Sequence, residues 1–354
     1  MSLENWGWDP HFERLWRERN VSQEVRARVI EEQKDVFRVR TEEVEVWAEI
    51  SGRMHYGAAR RSDLPAVGDW VAIRVSPGGT RAVVTAVLPR RTKICRKVAG
   101  RRSDEQVLAA NVDTIFHVSA MGRDFSPRRI ERYLAMIASG GARGVVLLNK
   151  ADLASDTANR LAQAESAAPG VDVFLVSAAT GQGIHSLESD LKPGETIAFV
   201  GSSGVGKTSL INRLLDEDRL EVQPVGQGTG RGRHTTTARH LVALPGGALL
   251  IDTPGMRELE PWDAGDAMGS AFAEIESLAA ECRFRDCAHE GEPGCALARA
   301  VETGRLDAAR LAGCQKLRRE MQFQEVKKDA AARADQNRRW KQLHKAQKEF
   351  YKAR

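Results

Sequence analysis

The stretch "GSSGVGKTSL", Gly201 to Leu210, decides how the rest of the chain is read. It fits the phosphate-loop pattern G-x-x-x-x-G-K-[ST], with Gly201, Gly206, Lys207 and Thr208 at the defining positions. Glycines let consecutive backbone N–H groups turn inward around a β-phosphate. Lys207 reaches the β/γ-oxygens, Thr208 offers its hydroxyl to Mg²⁺, and the following helix presents its positive end. The apolar run "ETIAFVG" before the loop reads as a strand and "KTSLINRLL" after it as a helix, which is the context the motif needs. Such a loop usually opens its domain, yet some 200 residues precede this one.

Among those residues is "LLNKAD". Asp152 at its end can accept two hydrogen bonds from the N1–H and exocyclic amine of guanine, a donor pair that adenine lacks. Asn149 and Lys150 are expected to brace the base and the phosphate loop, and "VSA" with Ser177 and Ala178 supplies a backbone N–H for the guanine carbonyl. Downstream, "LLIDTPG" places Asp252 at a strand end, where its carboxylate can hold a Mg²⁺ shell. The backbone N–H of Gly255 can meet a γ-phosphate. The guanine nucleotide site is therefore assigned Asn149, Lys150, Asp152, Ser177, Ala178, Gly201, Ser202, Ser203, Gly204, Val205, Gly206, Lys207, Thr208, Ser209, Asp252 and Gly255. The parts run in the order base, base, phosphate, switch, switch. A circularly permuted domain explains this, because folded termini often lie close enough for a permuted chain to rebuild the same sheet.

Between the phosphate loop and "DTPG", the segment "GQGTGRGRHTTT" has the Gly/Arg/Thr content of a loop that orders on nucleotide and Mg²⁺. Thr236, taken from Thr235 to Thr237, joins Thr208 and Asp252 as the expected magnesium ligands. Met256 stands where a water-orienting glutamine is familiar, so unassisted hydrolysis should be slow. Lys207 is placed among the catalytic groups. His234 is a candidate for orienting the water, the other reading being an exposed polar residue of the loop.

Outward from this domain the texture changes. From Asp35 to Lys97, "DVFRVR", "EVEVWAEISG", "GDWVAIRV" and "TRAVVTAVL" read as short strands, which suggests a small OB-type barrel. Barrels of this kind bind oligonucleotides or serve only as structure, and shape alone leaves both readings open. Residues 22–33 are expected to be helical, and Trp6, Trp8 and Trp16 to pack against a neighbouring domain. Within the permuted domain "VDTIFHVSA", "GVVLLNK" and "VDVFLVSA" read as buried strands, "SPRRIERYLAMIAS" as a helix begun by Pro127, and "RHLVAL" with "GALLIDTPG" as a strand pair turning at "PGG".

Beyond it, "CRFRDCAHEGEPGC" gives Cys282, Cys287, His289 and Cys295 the spacing C-x₄-C-x-H-x₅-C, a donor set for one closed, tetrahedral, structural Zn²⁺. Cys95 and Cys314 read as packing thiols; five cysteines, three of them in one cluster, do not make a disulfide framework. The net charge is +5, but Lys316 to Arg354 carries 13 Lys/Arg against 5 Asp/Glu, a net of +8 on a body of −3. A basic tail with Trp340, Phe350 and Tyr351 suits a polyanion, by stacking and charge together, the other reading being that the aromatics pack on the zinc unit. No run approaches membrane-span length and no signal-peptide pattern opens the chain, so a cytoplasmic protein with no membrane partner is expected.

The fold class expected is thus multidomain: an N-terminal extension (1–33), an OB-type β-barrel (34–98), a circularly permuted α/β P-loop GTPase domain (99–265), an α-helical zinc-binding domain (266–315) and a basic helical tail (316–354). With its barrel containing "VGDWV", then "NVDTIFHVSAM", "RRIERYLAMI", "LLNKADL", "GSSGVGKTSL", "GRHTTT", "IDTPGMREL" and the Cys/His knuckle, the chain resembles the ribosome small-subunit-dependent GTPase A family (RsgA) over roughly residues 35 to 315. Ser202 and Thr208 replace residues of the more usual "GQSGVGKS". The resemblance implies a monomeric GTPase that binds the maturing small (30S) ribosomal subunit, is stimulated by it and acts late in its assembly, with barrel and zinc domain on 16S-type rRNA. It also implies a non-polar residue after the D-T-P-G motif, which fits Met256, and a switch histidine assisting hydrolysis, which would be His234. A GTP-gated RNA-binding switch and a GTPase of large-subunit assembly are the alternatives; use of ATP would leave Asp152 idle.

Overall fold

The computed structural model describes residues 2–19, 23–33, 35–58, 60–97, 105–122, 125–216, 239–252, 273–284, 287–289, 292–308, 310–315 and 319. His234, Thr236, Gly255, Met256 and all of the basic tail except Arg319 lie outside the described residues.

Thirteen strands are described: β1 (Val25–Gln33), β2 (Val36–Arg40), β3 (Glu45–Ile50), β4 (Trp70–Val75), β5 (Arg81–Val87), β6 (Lys93–Lys97), β7 (Glu105–Ala110), β8 (Thr114–Ala120), β9 (Arg143–Asn149), β10 (Val173–Leu175), β11 (Thr196–Val200), β12 (Arg239–Ala243) and β13 (Leu249–Asp252). Strands β1-β2-β3-β5-β4 form a barrel that closes when β4 returns to β1, all pairs antiparallel except β3–β5. Closure removes the open edges of a five-stranded sheet.

The segment expected as a helix over 22–33 is a strand from Val25 onward, and it pairs with β2 and β4 as part of the barrel. Its sequence, VRARVIEEQ, is rich in helix-tolerant Arg, Glu and Ala. Tertiary pairing overrides that weak local preference. Arg28 shows how. Only 1% exposed, it donates to the carbonyls of Trp6, Gly68 (3.3 Å) and Asn111 (3.4 Å) and to Thr196 Oγ1 (2.8 Å), and lies over the Trp70 ring. One cation thereby ties the N-terminal segment, the barrel and the permuted domain together. Burial pulls its pKa down to about 10, which still leaves it charged at neutral pH. Replacing Arg28 by alanine orphans several buried acceptors at about 1–3 kcal/mol each. A loss of about 3–5 kcal/mol is expected, read as a lower urea midpoint at unchanged m-value.

The second sheet has the order β10-β9-β8-β11-β13-β12, parallel through β13 and antiparallel at β12. The strand before the phosphate loop, β11, sits between β8 and β13. Three strands of its sheet, β8, β9 and β10, thus precede it in the chain, as the permuted order of motifs requires. Helix Pro127–Ser139 begins at Ser126, whose hydroxyl accepts from Arg129 N, with Pro127 in the first turn. It covers the sheet face that carries Ile115, Val146, Leu148 and Val200, in one core shared with the barrel's Val29, Trp70 and Ile73. The opposite face packs Phe116, Val118, Leu147 and Phe199 against Leu210, Ile211 and Leu214 of helix Lys207–Leu215. Barrel and sheet are also joined directly, β1 to β12, with Glu31 opposite His240 and Glu32 opposite Arg239.

Trp6 and Trp8 are buried, and Trp8 meets Trp70 edge-on at 4.7 Å, so the N-terminal tryptophans pack on the barrel as expected. The basic string after the barrel forms β6, paired with β7 in a separate ribbon. Helices Ala273–Ala279 and Ala296–Glu302 share a small core with Leu306, Cys314 and Ala135, the last from helix Pro127–Ser139. Beside it Arg310 donates to Glu131 at 2.7 Å, an ion pair with both side chains 8% exposed. Cys95 packs partly buried against Ala66, Val107 and Ala110. No helix among the described residues is long and apolar enough to cross a membrane.

Candidate nucleotide and metal sites

The loop Gly201–Gly206 leaves β11 and enters helix Lys207–Leu215. Two of its glycines are required sterically. At Gly201 (φ +142) a Cβ would stand 2.3 Å from Val118 O, and at Gly206 (φ +97) 2.3 Å from Asn149 Nδ2. The Lys207 ammonium donates to the carbonyls of Gly201 and Ser202, both at 2.7 Å, so it lies along the loop it is expected to serve.

The segment expected to read the base is interlocked with this loop. Asn149, 1% exposed at the end of β9, donates through Nδ2 to Val205 O (2.8 Å), while its Oδ1 accepts from Ala178 N (3.2 Å). Lys150, in the left-handed region at φ 62, donates to Gly204 O at 2.7 Å. The hydroxyl of buried Ser177 donates to Asp152 Oδ1 at 2.5 Å. Asn149, Lys150, Asp152, Ser177 and Ala178 therefore form one brace against the phosphate loop, although they precede it in the chain. Asp152 is itself exposed, so the desolvation that would sharpen its choice of base must come from the bound ring.

Asp252 ends β13, in the strand beside β11. Burial raises its pKa above the ordinary carboxylate value, opposed by the nearby charge of His240. A half-buried carboxylate whose charge is disfavoured by burial suits a cation, which would restore the charged form. Thr208 and Ser209 are half-buried in the first turn after the loop. Arg129 was not anticipated. From the first turn of its helix it donates to Ser202 Oγ at 3.3 Å, placing a further guanidinium at the loop.

Also unanticipated is His117, on β8 opposite Val200. It is 1% exposed, stacked on Tyr133 at 4.3 Å, and neither ring nitrogen has a hydrogen-bond partner among the described residues. Burial, then the charges of Arg129 and Lys207, lower its pKa to about 3. The folded chain therefore binds fewer protons here than the unfolded chain below pH 6.5. The stability that neutral His117 allows is present above its unfolded pKa and is lost as pH falls from about 6.5 toward about 3. At pH 5 the expected loss is about 2 kcal/mol. Denaturation at pH 7 and pH 5 should show it, and His117→Phe should flatten it.

In the C-terminal unit the ligand atoms of Cys282, Cys287, His289 and Cys295 all lie within 4.8 Å of one another. His289 Nδ1 is 3.6 Å from the sulfurs of both Cys282 and Cys295. A tetrahedral centre with ordinary metal–sulfur and metal–nitrogen bonds separates its donors by about 3.5–3.8 Å. The Cys₃His cluster is thus close enough to hold a metal ion. Backbone N–H groups of Ala296 and Ala298 donate to the sulfurs of Cys282 (3.3 Å) and Cys295 (3.5 Å), the kind of support a thiolate ligand receives.

A phosphate loop in mid-chain, braced by the N-K-A-D segment that precedes it and flanked by a five-stranded barrel and a Cys₃His unit, defines a circularly permuted P-loop GTPase with two accessory domains. The sequence profile of the RsgA GTPase family matches residues 87–262. The small ribosomal subunit biogenesis GTPase RsgA of Opitutus terrae is 43% identical over 98% of this chain and 97% of its own length. Its namesake from Streptomyces coelicolor is 47% identical over 77% of this chain and 75% of its own. The chain belongs to the RsgA GTPase family. Two solved structures have the same fold: YjeQ from Thermotoga maritima (TM-score 0.63, 24% identity, 84% of this chain and 98% of that one) and YloQ, described as a circularly permuted GTPase (TM-score 0.61, 21% identity, 86% and 97%).

Proposed function

We propose that this chain hydrolyses GTP to GDP and phosphate as a late assembly factor of the small ribosomal subunit. The observation that carries the nucleotide chemistry is the interlock of Asn149 and Lys150 with the carbonyls of Val205 and Gly204, which fixes the base-reading turn relative to the phosphate loop. In this reading Asp152 accepts from guanine, with Ser177 holding the carboxylate in place. Lys207 exchanges its two loop carbonyls for phosphate oxygens. Thr208, Asp252 and, outside the described residues, Thr236 would hold Mg²⁺, which supplies charge neutralisation at the β- and γ-phosphates. Gly255 and His234, also outside the described residues, are assigned the γ-phosphate contact and the orientation of water. The metal of the Cys₃His cluster is assigned as one structural Zn²⁺, since three thiolates and one imidazole suit it best.

The role in small-subunit biogenesis for which the relatives are named supports the partner. So do the exposed Trp47 and Tyr56 with Arg53 and Arg81 on the barrel, aromatic and basic groups suited to 16S-type rRNA. The domain limits set out from the sequence are kept, except that the barrel takes in β1. The protein is taken to act as a cytoplasmic monomer. The test is GTP turnover at low enzyme concentration, alone and with purified small or large subunits. Slow basal turnover raised at least about 10²-fold by small subunits only is expected, a GAP-like stimulation at the modest end. Stimulation by large subunits would favour the other assembly role. Subunit binding that persists unchanged when hydrolysis is blocked would favour a GTP-gated RNA switch.

A further inference from the structure

Three side chains from three adjacent strands form a row that leads from the barrel to the end of β13. Glu31 of β1 is directly opposite His240 of β12, and His240 is directly opposite Asp252 of β13, both in antiparallel register. Directly opposed residues share one face of a sheet, with Cβ atoms about 4.5–5.5 Å apart. His240 Nδ1 is 3.7 Å from Glu31 Oε2, and the charge of His240 is felt at Asp252. Glu31 is itself fixed: its side chain is 8% exposed, Gln33 Nε2 donates to its Oε1, and Arg38 of β2 stands 3.9 Å from its Oε2. An imidazole has two nitrogens. One directed at Glu31 leaves the other available to the carboxylate across the next strand.

We propose that His240 is a positioning residue for Asp252 and that Glu31, a residue of the barrel, holds His240 in place. The metal-binding carboxylate of the permuted domain is thus oriented from outside that domain. This rests on the reading of Asp252 as a magnesium ligand. Partners of this kind, behind a metal ligand, change metal affinity by about 10–100-fold when removed. The arrangement depends on strand register, which sets the imidazole between two carboxylates, and a polar side chain of similar reach in its place should retain part of it.

The experiment measures Mn²⁺ affinity of the GDP complex by electron paramagnetic resonance, beside GDP affinity in EDTA, for the whole chain and for His240→Ala, His240→Gln, Glu31→Gln and the His240→Ala/Glu31→Gln double variant. His240→Ala should weaken Mn²⁺ binding by about 10-fold and leave the EDTA value unchanged; His240→Gln should recover part of the loss. Glu31→Gln should weaken it too, and the double variant should be no worse than His240→Ala, the sign of residues acting in series. Unchanged Mn²⁺ affinity in His240→Ala, losses that add, or an equal loss with and without metal would each overturn the relay. Failure of the wild-type chain to bind Mn²⁺ with GDP would instead overturn the metal-site assignment, and the relay with it.

Discussion

Asp152→Asn is expected to lower GTP affinity by on the order of 10⁴-fold and to create binding of xanthosine nucleotides in its place. A carboxylate accepts from both guanine N1–H and the exocyclic amine. An asparagine amide offers one acceptor and one donor, so its NH₂ group faces a donor of guanine but suits the C2 carbonyl of xanthine. The substitution spares the brace, because the bonds to the phosphate loop are made by Asn149 and Lys150. The Ser177 hydroxyl that donates to Asp152 Oδ1 can donate equally to an amide oxygen. Direct titration of wild-type and variant with fluorescent GDP and with fluorescent XDP reads the switch. Loss of both ligands would mean that the turn had collapsed, and retention of GDP would remove Asp152 from base recognition.

The exposure of Asp152 gives this test its edge. A carboxylate already buried in the protein would penalise any mismatched base. One that is buried only beneath the ring penalises a mismatch only when the ring is seated, so the discrimination should be visible in affinity and in dissociation rate while association stays nearly unchanged.

The features legible in the sequence were those whose cause is local. Ser126 and Pro127 announce a helix because an N-cap and a first-turn proline act within one turn, and the helix runs from Pro127 to Ser139. Helix Lys207–Leu215 and strands β2 to β5 follow from periodicity and turn residues in the same way. The four side chains of the cluster that can hold a metal ion follow from spacing within one short segment. What could not be read depends on partners distant in the chain. Strand β1 buries a cation whose acceptors are Trp6, Gly68, Asn111 and Thr196, none of them near it in sequence. The row Glu31–His240–Asp252 exists only because β12 lies between β1 and β13. Arg129 reaches Ser202 because its helix packs over β8, the strand beside β11, and no motif records that.

Cys295→Ser is expected to have the second large effect: loss of the bound metal and unfolding of the C-terminal unit with the GTPase sheet left standing. Over the described residues the unit's helices Ala273–Ala279 and Ala296–Glu302 span seven residues each, and segments of that length do not persist alone. Its core of Ile275, Leu297, Ala300, Leu306 and Cys314 is too small to hold them without a staple. Binding of a structural Zn²⁺ contributes on the order of 10 kcal/mol to such a unit, and that contribution vanishes with a ligand. Cys295 also caps the helix that follows it and is itself buried in the core, so one substitution removes ligand and packing together. Zinc stoichiometry should fall to near zero, and amide exchange should accelerate from Cys282 to Gln315. GDP affinity should change by no more than about 3-fold, because the side chains bracing the phosphate loop come from the sheet domain. Stimulation by small subunits should disappear. The contact that transmits the damage inward is Arg310 with Glu131 at 2.7 Å. Deprived of Arg310, Glu131 remains on the helix that also carries Arg129 to the loop, so a modest fall in basal turnover is expected as well. Retention of one zinc per chain in Cys295→Ser would remove Cys295 from the ligand set. Loss of zinc without faster exchange would mean that packing on Ala135 and the Glu131–Arg310 pair hold the unit without the metal.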